Sequence, residues 1–384
     1  MILEEIDNHL ANLDKHGLRR RRKTLETPCG VNAIVDGKKM LSFCSNDYLG
    51  LAAEPILTEA ACAAARQWGI GSGSSHLVSG HMSPHEKLER DLATFSGCER
   101  ALFFSTGYMA NLGVVPALAG RGDAIFADRL NHASLIDAAQ ISRADHHRYP
   151  HNDLAALERL LKASNAKNKL ILTDAVFSMD GDLAPLPEIL ELAERFDAWL
   201  VVDDAHGFGV LGPKGHGSFA HLGLTMNPRV VYIGTLGKAA GVSGAFAAGA
   251  DNVIEWLVQQ ARTYIFTTAS SPVIAAALSS SLALIEQGED RRRHLQALIA
   301  RLRQGLAATR WRLMPSFTAI QPLVIGTNDD ALRIASALAD RGIWVPAIRP
   351  PTVPKNTARL RISLSAAHRF DHIDQLCTVL EGLQ

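Results

Sequence analysis

The stretch Val230-Val-Tyr-Ile-Gly-Thr-Leu-Gly-Lys238-Ala-Ala-Gly-Val-Ser-Gly-Ala245 decides how the rest of this sequence is interpreted. Its first half is apolar and rich in β-branched residues, which predicts a buried strand, and its second half is a glycine-rich turn that presents Lys238. Most lysines in turns are simply solvated. Here, however, the low-dielectric wall beside the amine favours its neutral, nucleophilic form.

A second buried strand, Ala198-Trp-Leu-Val-Val-Asp203-Asp204-Ala-His206, runs directly into two carboxylates and a histidine. Alternation sends the side chains of Asp203 and Asp204 to opposite faces of the sheet, so at most one of them easily reaches a ligand. The other would be an ordinary turn or capping aspartate. A lysine that can form a Schiff base, together with an aspartate that can pair with a pyridinium nitrogen, is the minimal set of groups for pyridoxal 5'-phosphate (PLP).

Composition narrows the class of protein. A chain of 384 residues favours two domains, and equal numbers of basic and acidic residues, 39 each, argue against a long-range field that attracts nucleic acid or membranes. The sequence begins without a signal-peptide pattern, and no apolar run approaches the roughly 20 residues that span a bilayer. The five cysteines are scattered and show no metal-ligand or disulfide spacing, so a cytoplasmic enzyme is expected.

Short apolar strands alternate with amphipathic helices through most of the chain. This pattern predicts an α/β fold with a mostly parallel central sheet covered by helices. An apolar helical stripe from Leu3 to Leu13 precedes the first strand, and the tail mixes strands with helices. We therefore expect a helical arm at 1–40, a large PLP-binding domain at 41–271 and a smaller α+β domain at 272–384. A capping box is expected at Ser83–Glu86.

The unusual residues of this sequence lie at the carboxyl ends of predicted strands, where parallel sheets bind their ligands. These segments are Thr106–Tyr108, Asp128–His132, Ser178, Asp203–His206 and Thr235–Lys238. The segment Ser105–Asn111 lies where a strand meets a helix, and the free N–H groups of such a helix start suit a phosphate. Tyr108 and His132 are candidates for lying against a planar ring.

Two other motifs point to different chemistry. Gly207-Phe-Gly-Val-Leu-Gly212 matches the G-x-G-x-x-G pattern of dinucleotide-binding dehydrogenases, but the loop composition Pro213–Gly217 follows it where that motif requires a helix. His146, His147 and His151 suggest a metal, yet no carboxylate or cysteine spacing supports one, and a solvated loop is the favoured interpretation. We expect no metal, and an NAD-dependent dehydrogenase is only a remote alternative.

From about Arg19 to its C-terminus, the sequence resembles the α-oxoamine synthases, which are fold-type I PLP enzymes related to aspartate aminotransferase. The stretches that carry the resemblance are Ser45-Asn-Asp-Tyr-Leu-Gly50, Gly69-Ile-Gly-Ser-Gly73, Asp128-Arg-Leu-Asn-His-Ala-Ser134, Val176-Phe-Ser-Met-Asp-Gly181, Val202-Asp-Asp-Ala-His-Gly207, Gly237-Lys238 and Ile348-Arg-Pro-Pro-Thr-Val-Pro354. The resemblance implies an aminotransferase-like fold and a homodimer whose subunits share their active sites.

The resemblance also implies a role for each matching residue at the cofactor. Lys238 would carry the Schiff base and move the substrate proton, Asp203 would pair with the pyridine nitrogen, and His132 would stack on the ring. These three are the expected catalytic residues. The other residues that would hold the ring or its phosphate are Gly107, Tyr108, Ser178, His206, Thr235, Thr267 and Thr268, of which one of the last two would reach the phosphate of the partner subunit.

Substrate contacts are implied in the same way. The expected substrate-binding residues are Arg19, Asn46, His132, Thr352 and Arg361. Arg361 would bind the amino-acid carboxylate, while Arg19, or Arg20 in its place, would contact the acyl substrate. The branch of the family that the motifs resemble most condenses L-alanine with a pimeloyl thioester of CoA or of acyl-carrier protein, in biotin synthesis. A glycine-using 2-amino-3-oxobutyrate CoA ligase is the alternative within the family.

Overall fold

The computed structural model describes residues 2–383, and the chain divides into two compact units. The larger unit consists of Leu49–Ser178 and Asp182–Arg293. The smaller unit combines the chain up to Tyr48, the short piece Met179–Gly181 and the chain from His294 onward. This division differs from the expected boundaries after residues 40 and 271. One reason is that Leu41 pairs with Ile343, which ties the N-terminal segment to the C-terminal part.

Fourteen strands occur within the described residues. They are β1 (Asn32–Val35), β2 (Lys38–Ser42), β3 (Arg100–Phe104), β4 (Ala124–Asp128), β5 (Asp145–Tyr149), β6 (Lys169–Asp174), β7 (Ala198–Asp203), β8 (Val230–Thr235), β9 (Ala245–Gly249), β10 (Arg312–Leu313), β11 (Ile320–Gly326), β12 (Ile343–Trp344), β13 (Ala347–Ile348) and β14 (Ala358–Ser363).

Fourteen α-helices occur in the same part of the chain. They are α1 (Ile2–Lys15), α2 (Pro55–Trp68), α3 (Ser83–Ser96), α4 (Gly107–Leu118), α5 (Ala133–Ser142), α6 (Leu154–Ala163), α7 (Leu186–Arg195), α8 (Ser218–His221), α9 (Asp251–Gln260), α10 (Arg262–Ile265), α11 (Pro272–Gln287), α12 (Glu289–Leu306), α13 (Asn328–Ala339) and α14 (Phe370–Glu381). Among these helices, none has the length and apolarity that crossing a bilayer requires.

The larger unit is built on a seven-stranded sheet with the strand order β3-β9-β8-β7-β6-β4-β5. Neighbouring strands are parallel except at β9, which runs antiparallel to both β3 and β8. The predicted mostly parallel sheet is therefore confirmed. Leu172, Val201 and Ile233 lie in central strands and are at most 1% exposed, as expected where helices cover both faces of a sheet.

Two strands of this sheet have weak signals in the sequence. β9 consists mainly of small residues, and its position between β3 and β8 identifies it as a strand. β5 contains His146 and His147 and pairs with β4 at the edge of the sheet, so the prediction of a solvated loop is wrong for these two residues. An edge strand tolerates polar side chains because one of its sides faces solvent.

The smaller unit contains two small sheets. β10, β11, β14 and β13 form an antiparallel sheet in that order, and β1, β2 and β12 form the other. The helices α13 and α14 belong to the same unit. Each has one buried face, which includes Ile334 on α13 and Leu376 on α14. This mixture of antiparallel strands and helices agrees with the α+β character predicted for the tail.

Two helices differ in detail from their predictions. α1 forms as predicted, but its apolar stripe is not buried within the chain, since Leu3 and Ile6 are 77% and 48% exposed. Ser83 is the first residue of α3, so the prediction that it caps the helix is wrong. Met82 is the N-cap residue, and His85 supplies the reciprocal half of a capping box, because its Nδ1 accepts a hydrogen bond from the Met82 N–H at 3.0 Å.

The glycines of the Gly207–Gly212 motif serve packing and a turn. A Cβ on Gly207 would lie 2.1 Å from Asp204 Oδ1, so this position must remain a glycine for the two segments to approach. Gly212 has a φ of 74° and leads into a 3₁₀ turn at Pro213–Gly215. Dinucleotide binding requires a helix to begin there, so the dismissal of that interpretation is confirmed.

Replacing Gly212 with alanine should destabilise the protein more than the same replacement at Gly69. The two glycines have almost the same backbone angles, φ 74° and ψ 167° for Gly212 and φ 75° and ψ −173° for Gly69. The backbone strain that alanine would introduce is therefore similar at the two positions. Only at Gly212 would the new Cβ collide with backbone, 2.8 Å from Gly217 O, whereas nothing lies within 4 Å at Gly69. We expect Gly212→Ala to cost about 1–3 kcal/mol more, measured by urea unfolding. Equal losses in both variants would contradict this account.

Candidate active site

Five strand ends of the larger unit converge on one cavity of about 200 Å³. The lining residues follow β3, β4, β6, β7 and β8 along the chain, as the sequence predicts for a parallel sheet. They are Gly107, Tyr108, His132, Ser134, Asp174, Ser178, Asp203, Ala205, His206, Thr235 and Lys238. The structure thus brings together the predicted cofactor residues other than Thr267 and Thr268, which follow α10 and do not line this cavity.

Lys238 lies in a tight turn beyond β8, and its Nζ is 3.0 Å from His206 Nε2. The turn is closed by hydrogen bonds from the Leu236 N–H to Gly244 O (2.8 Å) and from the Gly241 N–H to Lys238 O (2.9 Å). Gly241 has a φ of 70°, and a Cβ there would lie 2.6 Å from the backbone of Leu51. The glycines that surround the lysine are therefore needed to hold its amine in place.

Asp203 ends β7 with its carboxylate almost buried, at 6% exposure. Asn111 Nδ2 donates to Asp203 Oδ2 at 2.7 Å, and the Ala205 N–H donates to Oδ1 at 3.0 Å. Asn111 also donates to Ser134 Oγ at 2.8 Å, so it connects α4, α5 and the end of β7. N–H donors of this kind suit an ionised carboxylate.

Asp174 ends β6 beside Asp203, and the sequence analysis did not single it out. Its Oδ2 accepts a hydrogen bond from the His132 N–H at 2.7 Å, and its own N–H donates to Asn131 Oδ1 at 3.1 Å. Burial, and next the negative charge of Asp203, raise the pKa of Asp174 well above its ordinary value. Burial next to Asp203 therefore favours the protonated form of Asp174.

Asp204 points to the opposite side of the sheet from Asp203, as strand alternation predicts. It accepts hydrogen bonds from the Ser218 N–H (2.7 Å), from Ser218 Oγ (2.5 Å) and from Tyr232 Oη (2.8 Å). The carboxylate is fully buried, and burial raises the pKa of Asp204 to about 6 in spite of these donors. Asp204 therefore stabilises the fold, whereas Asp203 lines the cavity.

The start of α4 forms another wall of the cavity. Thr106 caps this helix by accepting the Met109 N–H on its Oγ1 at 3.1 Å, and the first-turn N–H groups at Gly107 and Tyr108 have no partner within the helix. A Cβ on Gly107 would lie 3.6 Å from Thr235 Oγ1, so a larger residue would narrow this corner. A helix start lined by a hydroxyl and a glycine fits a phosphate group.

The cavity as a whole fits PLP. It offers an amine for the aldehyde, a buried carboxylate for a cationic ring nitrogen and a helix start for the phosphate. Asn111 Oδ1 is buried and has no partner within the described residues. His132 and Tyr108 stand in an edge-to-face arrangement with ring centres 6.4 Å apart, and Tyr108 donates a hydrogen bond to Asp137. An aromatic ligand would meet His132 on this side.

The predicted acyl-contact residues meet in the smaller unit. Arg19, Arg20 and Thr352 line a cavity of about 780 Å³ together with Leu10, Leu13, Leu18 and the segment 347–351. Arg19 Nη1 donates to Asp14 Oδ2 at 2.6 Å, so part of its charge is balanced within the chain. Both arginines line the cavity, and the choice between them stays open.

Arg361 and Asn46 are in contact within the smaller unit. Arg361 Nη1 donates to Asn46 Oδ1 at 3.1 Å and to Ser363 Oγ at 2.7 Å, and the arginine is only 5% exposed. Both acceptors in these two bonds are neutral oxygens, and the donor is a positively charged guanidinium. A carboxylate is the natural partner for such a group.

Comparison with known proteins places the chain in a family. The model for aminotransferase class I and II matches residues 38–380. This chain is a member of the aminotransferase class I and II family. Over the full length of both chains it is 69% identical to 8-amino-7-oxononanoate synthase of Herminiimonas arsenicoxydans. It is 63% identical to the synthase of the same name from Aromatoleum aromaticum, covering 100% of this chain and 99% of the relative.

Solved structures agree with the predicted fold. Serine palmitoyltransferase from Sphingomonas wittichii superposes with a TM-score of 0.92 at 30% identity, over 99% of this chain and 96% of the other. The 8-amino-7-oxononanoate synthase from Francisella tularensis superposes with a TM-score of 0.78 at 31% identity, over 90% and 97% of the two chains. The fold-type I class and the PLP cofactor that the sequence indicated are thereby confirmed.

The sequence analysis missed Asp174, Ser134 and Asn111. Asp174 had a usable signal, since an apolar strand runs directly into a carboxylate there just as it does at Asp203. Ser134 and Asn111 lie inside helices, and no sequence pattern indicates that they meet Asp203 across the fold.

Replacing each of the adjacent aspartates with asparagine should separate their functions. Asp204→Asn should destabilise the protein by about 1–3 kcal/mol, because an amide NH₂ would face the donors of Ser218 and Tyr232, while cofactor affinity stays near that of the parent protein. Asp203→Asn should weaken cofactor binding and abolish turnover, with a smaller loss of stability. Urea unfolding and absorbance titration with PLP measure the two effects. If Asp204→Asn lowers cofactor affinity as much as Asp203→Asn, the assignment is wrong.

Proposed function

We propose that this chain catalyses the PLP-dependent condensation of L-alanine with a pimeloyl thioester, with release of CO₂ and the free thiol, to give 8-amino-7-oxononanoate for biotin synthesis. The observation that carries the proposal is the cavity that joins Lys238, Asp203 and His206 at the strand ends. The chain is also 57–69% identical, over at least 97% of its length, to 8-amino-7-oxononanoate synthases from several bacteria.

PLP, when bound, withdraws electrons from the α-carbon of an amino acid attached to it. Lys238 would be the attachment point of PLP and, with its amine free, the base that removes the proton from the α-carbon of alanine. The short separation of Lys238 Nζ and His206 Nε2, 3.0 Å, supports this role, since the imidazole can exchange a hydrogen bond with the amine in both protonation states.

Asp203 holds the proton on the nitrogen of the ring. Its carboxylate is buried, and two N–H donors keep it oriented, so a cationic ring nitrogen is a favourable partner for it. His132 lies against the face of the ring, and the start of α4 with Thr235 receives the phosphate. Gly107, Tyr108 and Ser178 complete the enclosure on the same side of the sheet.

Arg361 binds the carboxylate of alanine, and Asn46 orients the guanidinium. Holding the substrate in one orientation can contribute about 7–11 kcal/mol to catalysis. PLP held here would supply the electron withdrawal that two steps need: the condensation of the α-carbon with the thioester carbonyl, with the thiol as leaving group, and the loss of CO₂ from the alanine carboxylate. Lys238 would return a proton to the α-carbon of the product.

The acyl substrate enters at the cavity lined by Arg19, Arg20 and Thr352. Its volume of about 780 Å³ and its apolar lining by Leu10, Leu13 and Leu18 suit an extended acyl chain, while the arginines suit its terminal carboxylate or the phosphates of a carrier. The donor in this proposal is either pimeloyl-CoA or pimeloyl-acyl-carrier protein. The reaction takes place in the cytoplasm.

The active protein is a homodimer. Thr267 and Thr268 lie beside exposed apolar side chains, since Ile70, Val78 and Phe266 are 70–78% exposed in the single chain. The turn that contains Val78 packs against α10, and Ser271 donates a hydrogen bond to Ile70 O, so these side chains belong to one region. Apolar side chains concentrated in one place favour burial by a second subunit.

Purified protein should release free thiol when alanine is combined with pimeloyl-CoA or pimeloyl-acyl-carrier protein, and much less when glycine or serine replaces alanine. Lys238→Ala should give no product, because both the attachment point and the base are lost. Thiol release is followed colorimetrically, and the product is identified by mass spectrometry. Preference for glycine with acetyl-CoA would instead indicate a 2-amino-3-oxobutyrate CoA ligase.

Phe266→Asp, alone or with Val78→Asp, should shift the protein from dimer to monomer, because a charge would be buried in the subunit interface. Ile141→Asp is the matched control, since Ile141 is 58% exposed on α5 and lies outside the proposed interface. Analytical ultracentrifugation of cofactor-loaded protein distinguishes the two states. A dimer that persists in the double variant would exclude this face.

A further inference from the structure

His151 lies between two carboxylates in the larger unit. Its Nδ1 is 3.1 Å and 3.2 Å from the two oxygens of Asp128, and its Nε2 is 2.7 Å from Asp182 Oδ2. Since both ring nitrogens face carboxylate oxygens, both carry a hydrogen, and the ring is an imidazolium. Burial by itself would lower the pKa of His151, but hydrogen bonds to Asp128 and Asp182 outweigh it and raise this pKa to about 10. His151 does lie in a loop, as predicted, but its ring is held between two carboxylates and is not simply solvated.

The Asp128 side of this arrangement fixes the loop that leads to His132. Asp128 is 1% exposed, and besides His151 it accepts the Leu130 N–H on Oδ1 and the Asn152 N–H on Oδ2, both at 2.8 Å. The direction in which the chain leaves β4 is thus set by a single buried carboxylate. His132 follows two residues after Leu130 and lines the cofactor cavity.

The Asp182 side fixes the loop that carries Ser178. The Phe177 N–H donates to Asp182 O at 3.0 Å, and Val176 forms a β-bridge with Leu183, so the two ends of this loop are held together. The ring of His151 also packs edge-on against Phe177, with ring centres 4.3 Å apart. Ser178 follows Phe177 directly and lines the same cavity as His132.

We propose that His151 is a positioning residue that sets the placement of His132 relative to Ser178 around the cofactor ring. It does not line the cavity, and it acts by joining the two loops through Asp128 and Asp182. The inference rests on the proposed function only in that the two loops enclose the cofactor. Replacing the cation with a neutral side chain removes the positive charge between the two carboxylates and leaves the neutral N–H groups of Leu130 and Asn152 as their donors, so the loops separate.

The test uses the full-length, cofactor-loaded protein with His151→Gln. We expect the cofactor to stay bound to Lys238, as read by mass spectrometry after borohydride reduction, while its visible circular dichroism changes because the residues around the ring have shifted. The kcat should fall by up to about a hundredfold, with the KM for the thioester nearly unchanged, since a misplacement of about 1 Å can have that effect. Asp182→Asn, which leaves the pair with Asp128 intact, should give a smaller change in the same direction.

His147→Gln is the matched control, because His147 lies on β5 four residues before His151, is exposed and stacks on Phe126 without lining the cavity. It should behave like the parent protein. If His151→Gln and Asp182→Asn only lower the unfolding temperature, with the circular dichroism and the kcat of the folded fraction unchanged, the residue is merely structural and the proposal is wrong. Circular dichroism needs no turnover, so failure of the proposed reaction is detected separately, as absence of product in the parent protein.

Discussion

The buried carboxylate of Asp203 is the group around which the active site is organised. A buried charge needs donors or a cation, and here the donors come from two segments, α4 through Asn111 and the loop after β7 through the Ala205 N–H. Asn111 also binds Ser134, which pairs with His132 Nδ1 at 2.7 Å. The orientation of His132 therefore depends on the same network that holds Asp203, and the ring-binding groups form one connected unit.

The parallel sheet makes this organisation possible. Each cavity-lining residue proposed to hold PLP ends a strand or follows its end by a few positions, as Lys238 follows β8 and His206 follows β7. Because the strands run in the same direction and lie side by side, these short extensions all arrive at one edge. The antiparallel β9 returns the chain after the lysine turn, and its hydrogen bonds with β8 keep that turn closed.

Features of the structure that depend on neighbouring residues could be predicted from the sequence. The apolar strands, the glycine turn at Lys238 and the alternation that separates Asp203 from Asp204 are all readable from neighbouring residues. Features that depend on residues far apart in the chain were not predicted. β5 looked like a loop because its histidines and charges fit only an edge strand, and the contact of Asn111 with Asp203 spans 92 positions of the chain. The domain limits differed for the same reason, since long-range pairing of β2 with β12 joins the two ends of the chain.

Three carboxylates end neighbouring strands of this sheet, and each has a different electrostatic environment. Asp128, at the end of β4, faces the imidazolium of His151. Asp174, at the end of β6, has its pKa raised by burial and by the adjacent Asp203, which favours its protonated form. Asp203, at the end of β7, accepts hydrogen bonds from two N–H donors and faces the cavity. Asp128 therefore has a cationic partner within the chain, and the surroundings of Asp174 oppose its ionisation. Asp203 is the position where a cationic ring nitrogen gains most from binding, and this difference explains why the cofactor ring is expected at β7.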